Sequence, residues 1–401
     1  MGKIVTRTAA IAGAVALTLA VAGTASVAVG HHIKVTKPTL TGWASLPAGT
    51  FVPGSEPSGS LVTGNTNGFV APFADQPIQG FSGIAANGDG TFDVLSDNGY
   101  GNQANSGDFL LRVQRLAPAF ASNQVDVVGG LNLTDPNGFV PWKLTRSDRV
   151  LTGSDFDVES IVKAKDGSYW IGDEFGPYLL HFDRGGRLLA APAPLDGVIA
   201  PETAARTGVT ATLGGSKGFE GMAASPDGRY LYPLLEGTVT GDTAGQLRLN
   251  EFDLRTRAYT GKRYVYQLDA PAHAIGDAIA VDKDRFLIIE RDNGQGATAV
   301  NKKIYLADKR DRDKDGLLDK TLVVDLMNIA NPRKLGGFGT TFTFPFQTIE
   351  DVVILDEKTI AVLNDNNFPF SSGRTAGVAD NNEWITIALP ESLRPDKRVL
   401  R

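Results

Sequence analysis

Val158-Glu159-Ser160-Ile161, a polar turn, and then Gly172-Asp173-Glu174-Phe175-Gly176: an acid opens one short apolar strand, and about fourteen positions later acids close a second. The same phrase recurs as Phe81-Ser82-Gly83-Ile84 to Ser96-Asp97-Asn98-Gly99, and as Phe219-Glu220-Gly221-Met222 to Leu235-Glu236-Gly237. Two further copies are Gly276-Asp277-Ala278-Ile279 to Glu290-Arg291-Asp292-Asn293, and Ile349-Glu350-Asp351-Val352 to Asn364-Asp365-Asn366. A self-similar strand–turn–strand unit, repeated at irregular spacing, predicts a β-propeller, in which each unit buries its faces against its neighbours.

Between the paired strands stand turn signals: Asn87-Gly88-Asp89-Gly90, Lys165-Asp166-Gly167, Pro226-Asp227-Gly228 and Asp282-Lys283-Asp284. Asp-Gly supplies the positive φ and the side-chain acceptor that tight hairpins need. Segments such as Leu249–Leu254 and Tyr264–Leu268 fit outer strands, and Pro201–Arg206 is the best short helix. Five clear units with unassigned strands at both ends make six blades the favoured count, with five and seven open. The expected organisation is an all-β single propeller over residues 79–401, preceded by an extension over 31–78 that contributes a strand closing the ring against Glu383–Ala388.

Residues 1–30 carry Lys3 and Arg7, then an uncharged Ala/Val/Leu run from Thr8 to Val29 with Ser26-Val27-Ala28 as a small-residue cleavage option. This reads as a secretory signal peptide, the alternative being an uncleaved anchor. Export predicts a secreted, extracellular protein with no stable membrane span unless the leader is retained. Formal net charge is −6, and loss of Lys3 and Arg7 leaves −8. No basic stripe exists to neutralise a phosphate backbone, so nucleic acid is excluded as a partner. A monomer acting on a small molecule is expected.

The chain has no cysteine, which excludes disulfides and thiolate sites, and only four histidines, of which His31 and His32 adjoin the leader. Any metal should therefore be a hard, oxygen-liking cation, and for an exported protein Ca²⁺ comes first. In a hairpin whose first strand starts where its second ends, both acid positions share one edge of the blade. Glu159, Glu220, Asp277 and Glu350 at strand starts would then face Asp97, Asp173, Glu174, Glu236, Glu290, Asp292 and Asp365 at strand ends across one rim of the channel. Like charges so crowded are tolerable around bound cations. The competing reading is that each acid caps its own turn. The first copy has Ser82 where the others have Glu or Asp, so charge should concentrate on the remaining four blades, and substrate is expected to enter at that asymmetry.

Asp311-Arg312-Asp313-Lys314-Asp315-Gly316-Leu317-Leu318-Asp319 places acids at loop positions one, three, five and nine with Gly at six, the first part of a calcium loop. Position twelve is Leu322, so the bidentate Glu of an EF-hand is missing. A stand-alone, stabilising calcium loop is expected, against the alternative of a solvated charge run. Gly214-Gly215-Ser216-Lys217-Gly218 matches the Gly-x-Ser-x-Gly pattern, but a propeller strand follows where a hydrolase elbow needs a helix, so Ser216 and His273 read as turn and loop residues. Among the cations beside the acids, Lys217, Arg291, Lys302, Lys303 and Arg374, Arg291 lies inside a repeat and is the expected clamp for substrate phosphate, or else a structural ion pair.

On Gly80–Ile84 with Leu95–Gly99, Asp157–Ile161 with Gly172–Pro177, Gly218–Ala223, Glu290–Asn293, Glu350-Asp351 and Leu363–Asn366, the chain resembles the family called esterase-like activity of phytase. The resemblance runs from about Gln79 to Ala388 and implies a secreted bacterial β-propeller hydrolysing phosphate esters or other esters. The leading expectation is a calcium-dependent phosphoesterase. Glu159, Glu220, Asp277 and Glu350 would be inner ligands and Asp173, Glu174, Glu290, Asp292 and Asp365 outer ones; Glu220 would serve as general base and Arg291 as clamp. A calcium-dependent lactonase or carboxylesterase, and a non-enzymatic propeller that calcium merely stabilises, stand as alternatives.

Overall fold

The structure, a computed structural model, describes residues 35–400; the proposed leader lies outside them. Among the described residues no helix is long and apolar enough to cross a membrane.

Among the described residues five four-stranded antiparallel blades make up the fold. The first holds Phe81–Ala86, Phe92–Ser96, Arg112–Ala119 and Gln124–Asn132; the second Val158–Lys163, Tyr169–Asp173, Tyr178–Phe182 and Ala193–Pro194. The third holds Phe219–Ala224, Tyr230–Leu235, Gln246–Asp253 and Ala258–Gln267; the fourth Ala274–Ala280, Arg285–Arg291, Lys302–Asp308 and Asp319–Asp325. The fifth is composite: Asp351–Asp356, Thr359–Leu363 and Asn382–Ala388 are completed by the N-terminal strand Thr39–Leu46, antiparallel to the last of them. A single parallel bridge, Ser45 to Gln124, then links the fifth blade to the first.

The first strand of each blade lines the axis, and these five succeed one another around a closed ring. The count is thus five, one of the numbers left open, rather than six. The unassigned strands at the two ends belong to one blade, not to two.

The hydrophobic core is divided in the same way. One apolar cluster fills each gap between neighbouring blades: Leu95, Val113, Ile161 and Ile171 between the first and second, Trp170, Leu179, Phe219 and Leu231 between the second and third. Where the ends of the chain meet, Phe92 packs edge-on against Trp384, which is buried, with ring centroids 4.8 Å apart. Removing a core aromatic of this kind typically costs ~3–5 kcal/mol, so the seam is a main source of ring stability.

Local chemistry sets the hairpins. Asp89, Asp166 and Asp227 each accept the backbone N–H two residues on, at 2.9, 2.9 and 3.0 Å, while Gly90, Gly167 and Gly228 take φ of 87°, 84° and 73°. Near the axis the inner strands approach so closely that side chains are excluded. A Cβ on Gly276 would lie 1.9 Å from the Ile349 carbonyl oxygen. Since strands alternate in direction, starts of first strands and ends of second strands share one end of the channel, here called the upper end. At the lower end lies a cavity of about 410 Å³ lined by Ile84, Val162, Met222, Ile279 and Val353, with the C-terminal residues Arg398 and Val399 at its edge.

Candidate metal centre at the upper end of the channel

Two rows of side chains meet at the upper end. In blades one to four the inner strand is bulged where it begins: pairing slips between Phe81 and Ile84, Val158 and Ser160, Phe219 and Gly221, and Ile275 and Asp277. A bulge re-aims the extra residue, and the residues released by the slip include Ser82, Glu159, Glu220 and Gly276, with Glu350 equivalent in the fifth blade. The second row stands at the end of the partner strand or one to two residues past it: Asp97, Glu174, Glu236, Arg291 and Asp365. Four blades offer an acid there, and the fourth offers the arginine.

All the carboxylates of both rows are buried: Glu174 is 3% exposed, Glu220 4%, Glu350 4% and Glu159 7%. Asp157 joins them. It lies two residues before Glu159, on the same face of an extended chain. Two triads result. Asp157, Glu159 and Glu174 bring one carboxylate oxygen each within 4.8 Å of one another, and so do Glu174, Glu220 and Glu236, with Glu174 common to both. Arg291 sits at the centre, its Nη2 donating to Glu350 at 3.0 Å and Glu236 at 3.3 Å, 3.5 Å from Glu220, while Nη1 donates to Asn293 at 2.8 Å. Lys217 pairs with the other oxygen of Glu236. Ser82 donates to Glu350 at 3.0 Å, and Asn98 and Ser216 donate to Asp157 at 2.8 and 2.9 Å.

These partners do not satisfy the cluster. Glu174 Oε1 and Glu220 Oε1 are buried and have no hydrogen-bond partner. Six carboxylates, Asp157, Glu159, Glu174, Glu220, Glu236 and Glu350, face two cations, Lys217 and Arg291. Burial raises the proton affinity of Glu159, with Asp157 next in effect. It raises those of Glu174 and Glu220 too, and Glu236 adds most to each thereafter. On blade one Asp97 is pushed up to about 8 by burial and by Asp157. Without a cation the protein can keep such a cluster only by holding protons on it.

Several expected ligands lie elsewhere. Asp277 is one residue beyond the row, and a one-residue step in a strand turns the side chain to the other face. Its carboxylate accepts N–H groups from Ala278 at 2.7 Å and from Val352, in the next inner strand, at 3.0 Å, tying blades four and five together. Glu290 faces outward and is saturated by Tyr266, the Asp269 N–H, His273 and Lys320 at 2.7–2.9 Å. Asp292 organises its own loop through the N–H groups of Gly294, Val300 and Asn301. Both oxygens of Asp173 are taken by the N–H groups of Asp157 and Gly176, at 2.9 and 2.8 Å, so it fixes the Asp157 backbone. Asp365, in the second row, is engaged by Asn367 N–H and Thr348. Arg291 is not a free clamp: its side chain is only 5% exposed and is spent on Glu220, Glu236 and Glu350 rather than on its neighbours Glu290 and Asp292.

Asp311, Asp313 and Asp315 converge to within 4.8 Å, and Asp319 accepts the Arg312 N–H at 3.1 Å. This loop joins the two outer strands of blade four at the lower end, opposite the buried cluster. Ser216 has φ of 43°, but among the described residues no histidine approaches it. His273 is bonded to Glu290, and His181 stacks on Trp170. The sequence reading overlooked Asp157 and the contact of Ser216 with it. The i, i+2 spacing of Asp157 and Glu159 was the available signal.

Residues 76–368 match the sequence model of the family described as "Phytase-like: Esterase-like activity of phytase". An uncharacterized secreted protein of Arthroderma benhamiae is 25% identical over 228 residues, a match spanning 46% of this chain and 43% of that protein's length. Among solved structures, a GH43 β-1,3-galactosidase aligns at TM-score 0.42 and 10% identity, covering 79% of this chain and 59% of that one. A luciferin-regenerating enzyme aligns at TM-score 0.38 and 10% identity over 78% of each chain.

Proposed function

Because this chain belongs to the phytase-like family described as having the esterase-like activity of phytase, we propose that it is a secreted, calcium-dependent hydrolase of phosphate esters working at the upper mouth of the channel. One observation carries the reading: two buried carboxylate triads sharing Glu174, with Glu174 Oε1 and Glu220 Oε1 accepting no hydrogen bond. Calcium takes six to eight oxygens, and an all-oxygen, histidine-free, thiolate-free donor set suits it. Asp157, Glu159, Glu174 and Glu236 would hold it, and a pair of divalent ions would offset the four-charge excess of the cluster. Bound there, calcium would supply charge neutralisation for the phosphate and for the leaving oxygen.

The chain's own groups do the rest. Ser216 and Asn98 fix the Asp157 carboxylate, each donating to a different oxygen. Arg291 keeps Glu220, Glu236 and Glu350 close together without occupying Glu220 fully. Glu220, whose Oε1 has no hydrogen-bond donor and only the Arg291 ion pair at 3.5 Å, and whose proton affinity is raised by burial and by Glu236, would take the proton of an attacking water. Burial of the whole set excludes bulk water and strengthens each of these interactions. The loop Asp311–Asp319 would hold a separate calcium that stiffens the outer hairpin of blade four. Support for export comes from the leader composition and from the relative named as secreted.

The family description names esterase activity, so neutral esters and lactones form the second reading. Purified protein, stripped with EDTA and then restored with calcium, is assayed on 4-nitrophenyl phosphate, phytate and 4-nitrophenyl acetate. Phosphate release that EDTA abolishes and calcium restores is the expected result. Ester turnover alone moves the assignment to the second reading, and a folded, calcium-loaded protein inert on all three overturns both.

A further inference from the structure

A dianionic ester approaching six carboxylates meets repulsion unless an accessible cation stands at the mouth. The expected clamp, Arg291, is buried and committed. Lys302 is fully enclosed, its ammonium donating to the carbonyls of Asp292 and Gln347 at 2.7 and 2.9 Å and pairing with the Asp292 carboxylate. Lys303 is engaged with Asp269 on the outer face of blade four. Arg374 is spent on Glu383 and the Thr343 carbonyl and stacks on Phe338. Lys217 differs from all of these. Its side chain is 40% exposed, yet its ammonium touches Glu236, a member of a triad.

The backbone around Lys217 is held as if to aim it. The Lys217 carbonyl accepts the Gly237 N–H at 3.0 Å, and the Gly218 carbonyl accepts the Glu236 N–H at 2.9 Å, zipping the glycine-rich loop to the end of its own blade's second strand. Glycine is required at both contacts. A Cβ on Gly237 would lie 2.7 Å from Lys217 Cβ, and one on Gly218 would lie 2.5 Å from Glu174 Cα. One residue earlier, Ser216, at positive φ, bonds Asp157 of the other triad. The loop therefore bridges both triads, with the lysine stem partly exposed and its ammonium held on Glu236.

We infer that Lys217 is the residue that contacts the anionic oxygens of the substrate, making the site selective for phosphate monoesters over neutral esters. The inference rests on the phosphoesterase reading. Cations drawing on Glu174 and Glu236 would take charge away from the ammonium's present partner and leave it for the incoming anion. A charge-assisted contact of this kind corresponds to roughly 10–100-fold in affinity.

The test compares wild type, Lys217→Met and Lys217→Arg, all calcium-loaded and matched for calcium content and melting temperature. Inorganic phosphate is titrated by calorimetry, and kcat and KM are measured on 4-nitrophenyl phosphate and 4-nitrophenyl acetate. The Met variant should bind phosphate about 10–100-fold more weakly, raise KM for the phosphate ester more than it lowers kcat, and lose at least about tenfold more kcat/KM on that ester than on the acetate. Arg should recover most of the phosphate affinity. Phosphate affinity unchanged in the Met variant, or equal losses on both esters, overturns the inference while leaving the phosphoesterase reading standing. A wild type that neither binds phosphate nor cleaves its ester overturns both.

Discussion

Replacing Arg291 by Met removes the cation at the centre of the cluster while keeping an apolar stem in its place. Glu350, Glu236 and Glu220 lie 3.0, 3.3 and 3.5 Å from Nη2 and lose their shared partner together. Breaking a buried ion pair by removing one side generally costs ~3–5 kcal/mol, because the remaining charge stays buried. At the low end of the usual 2–4 °C per kcal/mol for sizeable domains, this is a fall in melting temperature of about 6–10 °C in EDTA. If the same carboxylates hold calcium, the ion replaces much of the lost positive charge, and the deficit against wild type should shrink to less than half in saturating calcium. Wild type itself should gain about 2.7 kcal/mol at a calcium concentration one hundred times Kd. The assay is differential scanning calorimetry of both proteins in EDTA, in calcium, and in sodium chloride at matched ionic strength. An equal gap between the two proteins in EDTA and in calcium would refute the coupling, showing that Arg291 neutralises acids that no metal reaches.

Glu220→Gln should lower kcat on the phosphate ester by at least about 100-fold with an unaltered circular dichroism spectrum, general-base contributions being 10²–10⁴-fold; unchanged turnover removes Glu220 from the chemistry. Asp313→Asn should reduce bound calcium by one ion per chain, measured by atomic emission, and a count equal to wild type would leave the outer loop a solvated charge run. Gly276→Ala drives a methyl into the Ile349 carbonyl and should destabilise the protein by about 1–3 kcal/mol in urea unfolding, a loss that an unchanged midpoint would contradict. Burial pushes Asp277 up to about 7 from 3.8, so from pH 4 to 7 the folded chain keeps a proton that the unfolded chain has released. Stability from this group is therefore present in acid and lost as pH rises toward 7, by up to about 1.4 kcal/mol per pH unit. In saturating calcium Asp277→Asn should flatten that slope, and an unaltered slope would refute the assignment.

The hairpins were legible because their causes are local. Asp-Gly at the turns, alternation in the strands and the start-to-end spacing of the acids all lie within one repeat. Blade number is less local. The fifth blade takes three strands from one end of the chain and Thr39–Leu46 from the other, so its unity depends on a pairing across more than three hundred residues. Nothing in either segment alone says whether it is a blade or a quarter of one. The long stretches between blades, such as 133–157 and 326–350, send apolar side chains from their loops into the clusters between blades, Leu144 and Phe344 among them.

At the site, the difficulty was register. Glu159, Glu220 and Glu350 stand in one row, and Asp277 looks like the fourth member because it occupies the same place in the phrase. The bulges show that the fourth member is Gly276, and that the alignment must slip by one residue. The same slip passes over Glu290 and Asp292 and puts Arg291 in the row of Asp97, Glu174, Glu236 and Asp365. Blade four thus contributes no acid to either row: a glycine in the first and a cation in the second. That gap gives the ring a direction, since the carboxylate oxygens that accept no hydrogen bond, on Glu174 and Glu220, belong to blades two and three. Lys217, on the loop joining those two blades, is a partly exposed cation paired with Glu236 beside them. If a cation is held against blades two and three, the approach over the Lys217 loop is the side from which an anionic ester would meet it.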